Sequence, residues 1–296
     1  MLNDLPKIII ILGPTATGKS ELGVVLAAEF NGEIISADSR QVYKEMNIGT
    51  NKITKEEMHG VSHHLLDVAS PRRNFNVARF QKYAVSAIKK IIKKNKLPII
   101  VGGSPFYIYS VADGWVFPNS KKNSLLRKKL NRKSSSELIK ILEEIDFDYA
   151  QKIDSSNPRR IIRAIEIAKK LGKVPDLKKQ PLFNPVFIGL KLPIPLLHDK
   201  IKKRLRSRIR KGLIDEVAKL QKNGLSWTRL ENFGLEYRWV AFYLQKKISR
   251  EEMEKGIIKD SMKLVKNQMN WFKKDERIKW VNTTDEARTI IHNFMN

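Results

Sequence analysis

The chain has 296 residues, 42% hydrophobic and 30% charged, with 57 Lys and Arg against 31 Asp and Glu for a net charge of +26 and no cysteine. Disulfides and thiolate metal sites are thereby excluded, a reducing cytoplasm is compatible, and the default is a soluble globular protein large enough for one big domain or two modest ones. A basic excess of this size repels itself unless a polyanion is near; nucleic acid leads and an anionic membrane surface comes second, while a Lys-, Ile- and Asn-rich composition accounts for part of the excess by raising Lys everywhere.

In chain order, "KIIIIL" (7–12) reads as a short buried strand bounded by Gly13 and Pro14. Its apolar run is too short for a secretory leader, and no stretch nears the ~20 apolar residues of a membrane span. A helix is expected from about Gly18 to Phe30, a second strand over 33–37 ending at Asp38, an amphipathic helix over 76–95, and a third strand over 97–103. This alternation predicts an α/β fold with a parallel sheet flanked by helices. Near residue 113 the character changes to a linker, "DGWVFPNSKKNS", and 124–172 is helical with no strand run. "PVFIGLKLP" (185–193) returns to the sheet. The economical reading is a core of 1–112 and 183–296 with an inserted all-helical subdomain at 113–182. Helices are expected over 195–223, 235–246 and 249–273, followed by a last strand, "IKWVN", and a terminal helix. No internal repeats are visible.

"GPTATGKS", residues 13–20, has the G-x-x-x-x-G-K-[ST] spacing of a phosphate-binding loop, with a strand before it and a helix after. Backbone N–H groups at a helix N-terminus surround phosphate oxygens, Lys19 pairs with their charge, and the Ser20 hydroxyl would hold Mg²⁺. The cradle does not name its ligand. A kinase transfers the terminal phosphoryl, whereas a prenyl transferase lets the diphosphate leave; both clamp developing negative charge. Asp38 lies just past a strand's carboxyl end, where open α/β sheets bind ligands. It could be a general base, a partner of the magnesium's ligands, or a loop N-cap. "VGGSPFYI" ends the third strand with Gly102 and Gly103, which allow close backbone approach, and Ser104, which offers a hydroxyl.

Taken together, "GPTATGKS", "ADSRQVYKEMNIGTNK", "HHLLDV" and "LPIIVGGSPFYI" resemble the successive signatures of the tRNA dimethylallyltransferases, the bacterial-type tRNA isopentenyltransferases. Later stretches fit in order: "NPRRIIRAIEI", "RSRIRKGLIDEVAKL", "GLEYRWVAFYL" and "KLVKNQMNWFKKDERIKW". The resemblance implies a P-loop NTPase-like core and transfer of a dimethylallyl group from dimethylallyl diphosphate to the exocyclic amine of the adenosine 3′-adjacent to the anticodon, releasing diphosphate. It implies Asp38 as the acceptor of a hydrogen bond or proton from that amine and Ser104 as its companion, where the family usually has threonine. It implies that Gly13, Pro14, Thr15, Ala16, Thr17, Gly18, Lys19, Ser20 and Arg204 hold the donor diphosphate. For tRNA it implies Asp38, Ser39, Arg40, Gln41, Ser104, Arg127, Arg159, Arg160, Ile161, Ile162, Arg163, Lys263, Lys266 and Gln268. The family commonly reads K-R-Q and then threonine near the last group, where this chain has Asn267 and Asn270. Mg²⁺ as cofactor, a cytoplasmic location and a monomeric state complete the expectation.

Two other readings stand beside it. A P-loop small-molecule kinase explains the cradle and sheet but not +26 or the "DSRQVY" and "VGGS" strand ends. A non-catalytic RNA-binding protein would share the charge and differ only in turnover. Lys200, Arg204, Arg208 and Lys211 form one basic row on the 195–223 helix, and Lys202, Arg206 and Arg210 another; each reads as an RNA face or as an ordinary solvated one. His63 and His64 lack metal-site company and read as loop residues. Trp227, Trp239 and Trp271 read as core.

Overall fold

The computed structural model describes residues 4–120 and 122–296. It divides into two units, Met1–Gly114 with Pro181–Asn296, and Trp115–Gln180.

In the first unit, β1 (Lys7–Leu12) carries five consecutive apolar residues, Ile8 to Leu12, all fully buried. Apolar residues on both faces suit the interior of a parallel sheet covered by helices, and β1 lies there. Along the chain follow α1 (Lys19–Glu29), β2 (Gly32–Ala37), β3 (His63–His64), α2 (Val77–Lys93), β4 (Leu97–Gly102) and α3 (Pro105–Ala112). The second unit supplies β5 (Trp115–Val116), α4 (Ser124–Leu130), α5 (Ser135–Glu143), α6 (Phe147–Ala150), α7 (Pro158–Leu171) and β6 (Lys178–Lys179). The first unit resumes with β7 (Asn184–Leu190), α8 (Ile194–Arg210), α9 (Leu213–Lys222), α10 (Trp227–Phe233), α11 (Leu235–Leu244), α12 (Arg250–Phe272), β8 (Ile278–Val281) and α13 (Thr284–Met295). The strand order is β3-β2-β4-β1-β7-β8, and every pairing is parallel. All six carboxyl ends therefore face one edge. Among the described residues no helix is long and apolar enough to cross a membrane.

Local chemistry accounts for the boundaries. Asn76 caps α2 by accepting from the Arg79 N–H, and Ser249 and Glu252 form a reciprocal capping box on α12. The single helix expected over 195–223 is two. Gly212, at φ +93°, breaks it between α8 and α9 in a left-handed conformation that other residues resist. Helices α3 and α10 were not anticipated; both are at most eight residues long.

His63 and His64 are not loop residues. They form β3 beside Ile34 and Ile35, and His64 Nε2 pairs with Glu33 at 2.7 Å. Glu33 is buried, which opposes its charge, but hydrogen bonds from His64, Lys94 and Lys96 prevail and hold its pKa down at about 2. A two-residue strand leaves no periodicity to read. The same holds in the second unit, which is not purely helical: β5 and β6 pair antiparallel, Trp115 opposite Lys179. The tryptophans are not core either. Trp227 and Trp239 are half-buried, and Trp271 is exposed, edge-on to Phe106 with ring centroids 4.9 Å apart.

The second unit has its own apolar core, built from Leu130, Leu138, Leu142, Ile161, Ile162 and Ile165. Leu138 is fully buried there. Leu138→Ala is expected to cost ~2–5 kcal/mol, read as a lowered urea midpoint in a probe of the 115–180 unit; a shift below ~0.5 kcal/mol would mean that this core does not hold the unit together.

Candidate active site

The loop from Gly13 to Ser20 joins β1 to α1 at the carboxyl edge of the sheet. Its conformation depends on glycine twice. Gly13 has φ +145°, and a Cβ there would stand 2.2 Å from the Leu190 carbonyl oxygen; Gly18 caps α1 at φ +93°. Thr17 Oγ1 donates to the Pro14 carbonyl at 3.0 Å, and Lys19 Nζ folds back onto the same carbonyl. Arg204 Nη2 reaches in from α8 to donate to Thr15 Oγ1 at 2.9 Å. Burial pushes the Lys19 pKa down from 10.5 to about 7, the nearby Arg204 pushes the same way, and Asp38 partly opposes both. Burial, with help from Arg208, lowers Arg204 to about 10, so the guanidinium stays charged at neutral pH. Lys19 and Arg204, both half-buried, thus bring basic groups to one loop at a helix N-terminus, the electrostatics of an anion site.

Across the cavity, Asp38 follows β2. Its Oδ1 accepts from the Arg40 N–H at 2.7 Å and from the Gln41 N–H at 3.3 Å, a side-chain turn that fixes the carboxylate. Oδ2 makes no hydrogen bond among the described residues. Ser104 Oγ, at the end of β4, accepts from the Ser39 N–H at 3.2 Å and so ties two strand ends together. Gln41 accepts from Ser36 and donates to the Thr50 and Asn51 carbonyls. Asp38, Arg40 and Gln41 line an open cavity of about 720 Å³ with Thr15, Lys19, Ser20 and Arg204, while Ser104 and Ser39 stand behind its wall.

Gln268, expected with Lys263 and Lys266 among the tRNA contacts, lines the cavity itself. It is buried on α12, accepts from the Thr15 N–H at 3.0 Å and donates to the Gly103 carbonyl at 2.7 Å. It thus clamps the cradle to the end of β4. Lys263 and Lys266 on the same helix are exposed, as are Asn267 and Asn270. The two basic rows of α8 separate. Lys200, Arg204 and Arg208 line the cavity, while Lys202, Arg206 and Arg210 are exposed. Two features carried no sequence signal. Arg208 forms a buried ion pair with Glu236. Glu216 accepts from three successive backbone N–H groups, Asn47, Ile48 and Gly49, and from the Tyr237 hydroxyl at 2.7 Å, holding the loop that leads into Thr50 and Asn51. A backbone turn that converges on a carboxylate has no pattern in the loop's own residues.

In the second unit, Ile161 and Ile162 are buried in the apolar core and cannot meet a ligand from outside. The contiguous span 159–163 was too broad, because a helix turns two of those five side chains inward. Arg159 and Arg160 are exposed. Arg127 donates through Nε and Nη2 to the two oxygens of buried Glu166, at 2.6 and 2.7 Å, and Arg163 bonds Glu166 Oε2 and the Ser120 carbonyl. Both are half-buried, with part of each guanidinium already engaged.

The Ser20 hydroxyl is exposed, lines the cavity and makes no hydrogen bond among the described residues. A hard cation such as Mg²⁺ is commonly held by one or two protein oxygens together with substrate phosphates, and one free hydroxyl beside the cradle suits it. No group of three or more His, Asp or Glu suited to a metal occurs among the described residues.

A family profile described as IPP transferase matches residues 41–275. The chain is 42% identical to a tRNA dimethylallyltransferase of Carboxydothermus hydrogenoformans over 95% of its own length and 93% of that protein's, and 43% identical to tRNA dimethylallyltransferase 2 of Treponema denticola over 84% and 85%. Its structure matches a tRNA isopentenylpyrophosphate transferase of Bacillus halodurans with a TM-score of 0.73 and 35% identity, covering 98% and 95% of the two chains. A eukaryotic dimethylallyltransferase described as acting on tRNA matches with a TM-score of 0.84 and 25% identity, covering 98% of this chain and 79% of that one. The chain belongs to the IPP transferase family, and its core is a P-loop NTPase-like parallel sheet flanked by helices.

The low Lys19 pKa gives anion binding a pH dependence. A bound diphosphate raises that pKa back toward its ordinary value, so binding takes up a proton when the free amine is neutral. Affinity is therefore full below about pH 7 and falls as pH rises through 7 toward the pKa of the complex. For inorganic pyrophosphate, corrected for its own ionisation, calorimetry should show a fall approaching ~10-fold per pH unit above neutrality, with proton uptake. Lys19→Met should weaken binding and flatten the slope. An unmodified protein with a flat profile would take Lys19 out of the linkage.

Proposed function

We propose that this member of the IPP transferase family transfers a dimethylallyl group from dimethylallyl diphosphate to tRNA, at the exocyclic amine of the adenosine 3′-adjacent to the anticodon, and releases diphosphate. One observation carries the assignment of roles. A single cavity is bounded by the cations Lys19 and Arg204 and by a carboxylate, Asp38, with one oxygen fixed and the other unengaged. A leaving diphosphate and a nucleophile that must lose a proton need that division of charge.

The cradle of Gly13 to Ser20, with Arg204, binds the diphosphate. As the bond between the allylic carbon and its oxygen breaks, the electron pair departs with the diphosphate, and Lys19 and Arg204 stabilise the growing charge. The amine nitrogen of adenosine bonds to that carbon. Its proton passes to Asp38 Oδ2, which the Arg40 and Gln41 amides hold in place through Oδ1. An exocyclic adenine amine is a weak nucleophile, so a positioned base contributes as the new bond forms. Ser104 offers its hydroxyl beside the amine, and Ser39, Arg40 and Gln41 contact the nucleotide. The target base must leave its stack to reach this depth. The Ser20 hydroxyl would hold Mg²⁺, which neutralises phosphate charge when bound.

The tRNA footprint extends beyond the cavity. The helical unit offers Arg159 and Arg160 on its surface, with the partly engaged Arg127 and Arg163 nearby, and α12 offers Lys263 and Lys266. We infer action as a monomer on cytoplasmic tRNA from the family resemblance. The kinase reading is not favoured. The strand ends around Asp38 and Ser104 belong with the transferase pattern, and every relative compared above is named as a tRNA prenyl transferase.

The purified protein, given unmodified tRNA, dimethylallyl diphosphate and Mg²⁺, is expected to produce prenylated adenosine detectable by nucleoside mass spectrometry. ATP in place of the allylic donor should yield nothing. Unaltered nucleosides with the allylic donor would refute the reading. Asp38→Ala should lower kcat by at least ~10²-fold, the contribution of a positioned base, with tRNA affinity changed far less; a fully active variant would remove Asp38 from proton transfer.

A further inference from the structure

Arg208 lies one helical turn beyond Arg204 on α8 and lines the same cavity, yet it is 94% buried. Only part of its guanidinium is satisfied. Nη1 donates to Glu236, itself buried. Nε is buried with no partner, and among the described residues Nη2 has none. Nε–H and Nη2–H point side by side from one edge of the guanidinium, the fork that matches two oxygens of a carboxylate or phosphate. A native interior seldom leaves a buried cationic donor unsatisfied without a use for it.

We propose that Arg208 is a further donor-binding residue whose Nε–Nη2 edge grips phosphoryl oxygens of the allylic diphosphate, and that Glu236 is the residue that positions it. The proposal rests on the donor reading of the cavity given above. Two like charges four residues apart on one helix repel each other. Glu236 offsets that repulsion, so both guanidiniums can wait side by side before any anion arrives. It engages Nη1 and so leaves the opposite edge free. The charged groups packed around Arg208 are Glu236 and Arg204, with the Tyr237 hydroxyl close by.

A phosphate of the RNA chain has the same chemistry as the donor, but the position of Arg208 favours the donor. A polynucleotide backbone meets exposed cations, and on this helix the exposed row is Lys202, Arg206 and Arg210. Arg208 sits on the cavity side with Arg204, whose own side chain already touches the cradle at Thr15. With Lys19, the two guanidiniums form three donors around one small, highly charged group.

Two variants test the assignment in the full-length protein. Arg208→Lys keeps a cation against Glu236 but has no fork. Arg208→Met with Glu236→Gln removes both buried charges and is read if the first variant does not fold. Inorganic pyrophosphate with Mg²⁺ is the probe, titrated by calorimetry, with thermal melting as a check of folding and filter binding for unmodified tRNA. Pyrophosphate affinity is expected to fall roughly 10- to 100-fold, the range for hydrogen bonds to a charged group, while tRNA affinity stays within about twofold. Unchanged pyrophosphate binding in a folded variant overturns the proposal. So does a loss confined to tRNA, which would assign Arg208 to an RNA phosphate. If the unmodified protein fails to prenylate tRNA while its pyrophosphate binding still depends on Arg208, the reaction assignment fails and the anion site stands.

Discussion

The site depends on basic side chains gathered, half-buried, at one side of a single cavity. Lys19 and Arg204 are half-buried near each other, with Asp38 opposing the charge of Lys19 and Glu236, ahead of Asp38, opposing that of Arg204. Isolated buried charge is costly, so the fold must impose the arrangement from outside the cavity. It does so with covalently distant parts. The loop keeps its shape through the left-handed turn at Gly18 and the tight approach of Gly13 to β7, while Gln268 joins the Thr15 amide to the Gly103 carbonyl across the sheet edge.

The parallel sheet explains why the opposing carboxylate lies where it does. β1 and β2 both border β4, and all three run the same way, so the cradle, Asp38 and Ser104 emerge at one edge. The Asp38 carboxylate is fixed by the two amides that follow it in the chain, a local device that needs no partner from elsewhere. The anion side is assembled differently. Its guanidiniums come from α8, some 190 residues after the loop they serve. The carboxylate and the cationic side of the cavity are thus built by independent means, one from sequence neighbours and one from tertiary packing. A substitution in α8 can disturb the anion side while leaving the carboxylate aligned.

That difference governs what could be read from the chain. The phosphate loop was legible because its residues are contiguous and its flanks, an isoleucine run and a helix, have clear patterns. Asp38 and Ser104 were legible as strand ends, and their roles came from the resemblance. The long helices and five of the sheet's six strands followed from periodicity; β3, β5 and β6, two residues each, offered none. Gln268 was placed among surface contacts, because nothing in "KNQ" says that the third residue turns inward to bridge two loops. The Arg208–Glu236 pair and the Glu216 anchor join residues 20 to 170 positions apart through one side chain each, below the reach of any local pattern. Ile161 and Ile162 show the reverse case. Their spacing marked them as core, and the structure sides with the spacing.

The division of α8 bears on how +26 should be understood. A basic helix in a basic protein reads as one undifferentiated surface, but its two rows meet different physics. Lys202, Arg206 and Arg210 stand in water, where their attraction for a polyanion is screened over a Debye length of about 10 Å at 0.1 M salt. Arg208 is buried and Arg204 half-buried, where the effective dielectric is lower and screening by mobile ions is weaker. The pull of the outer row on any polyanion is therefore strongly salt-dependent. Grip on a small anion through the inner row is far less so. Burial thus gives one residue type two electrostatic settings on the same helix.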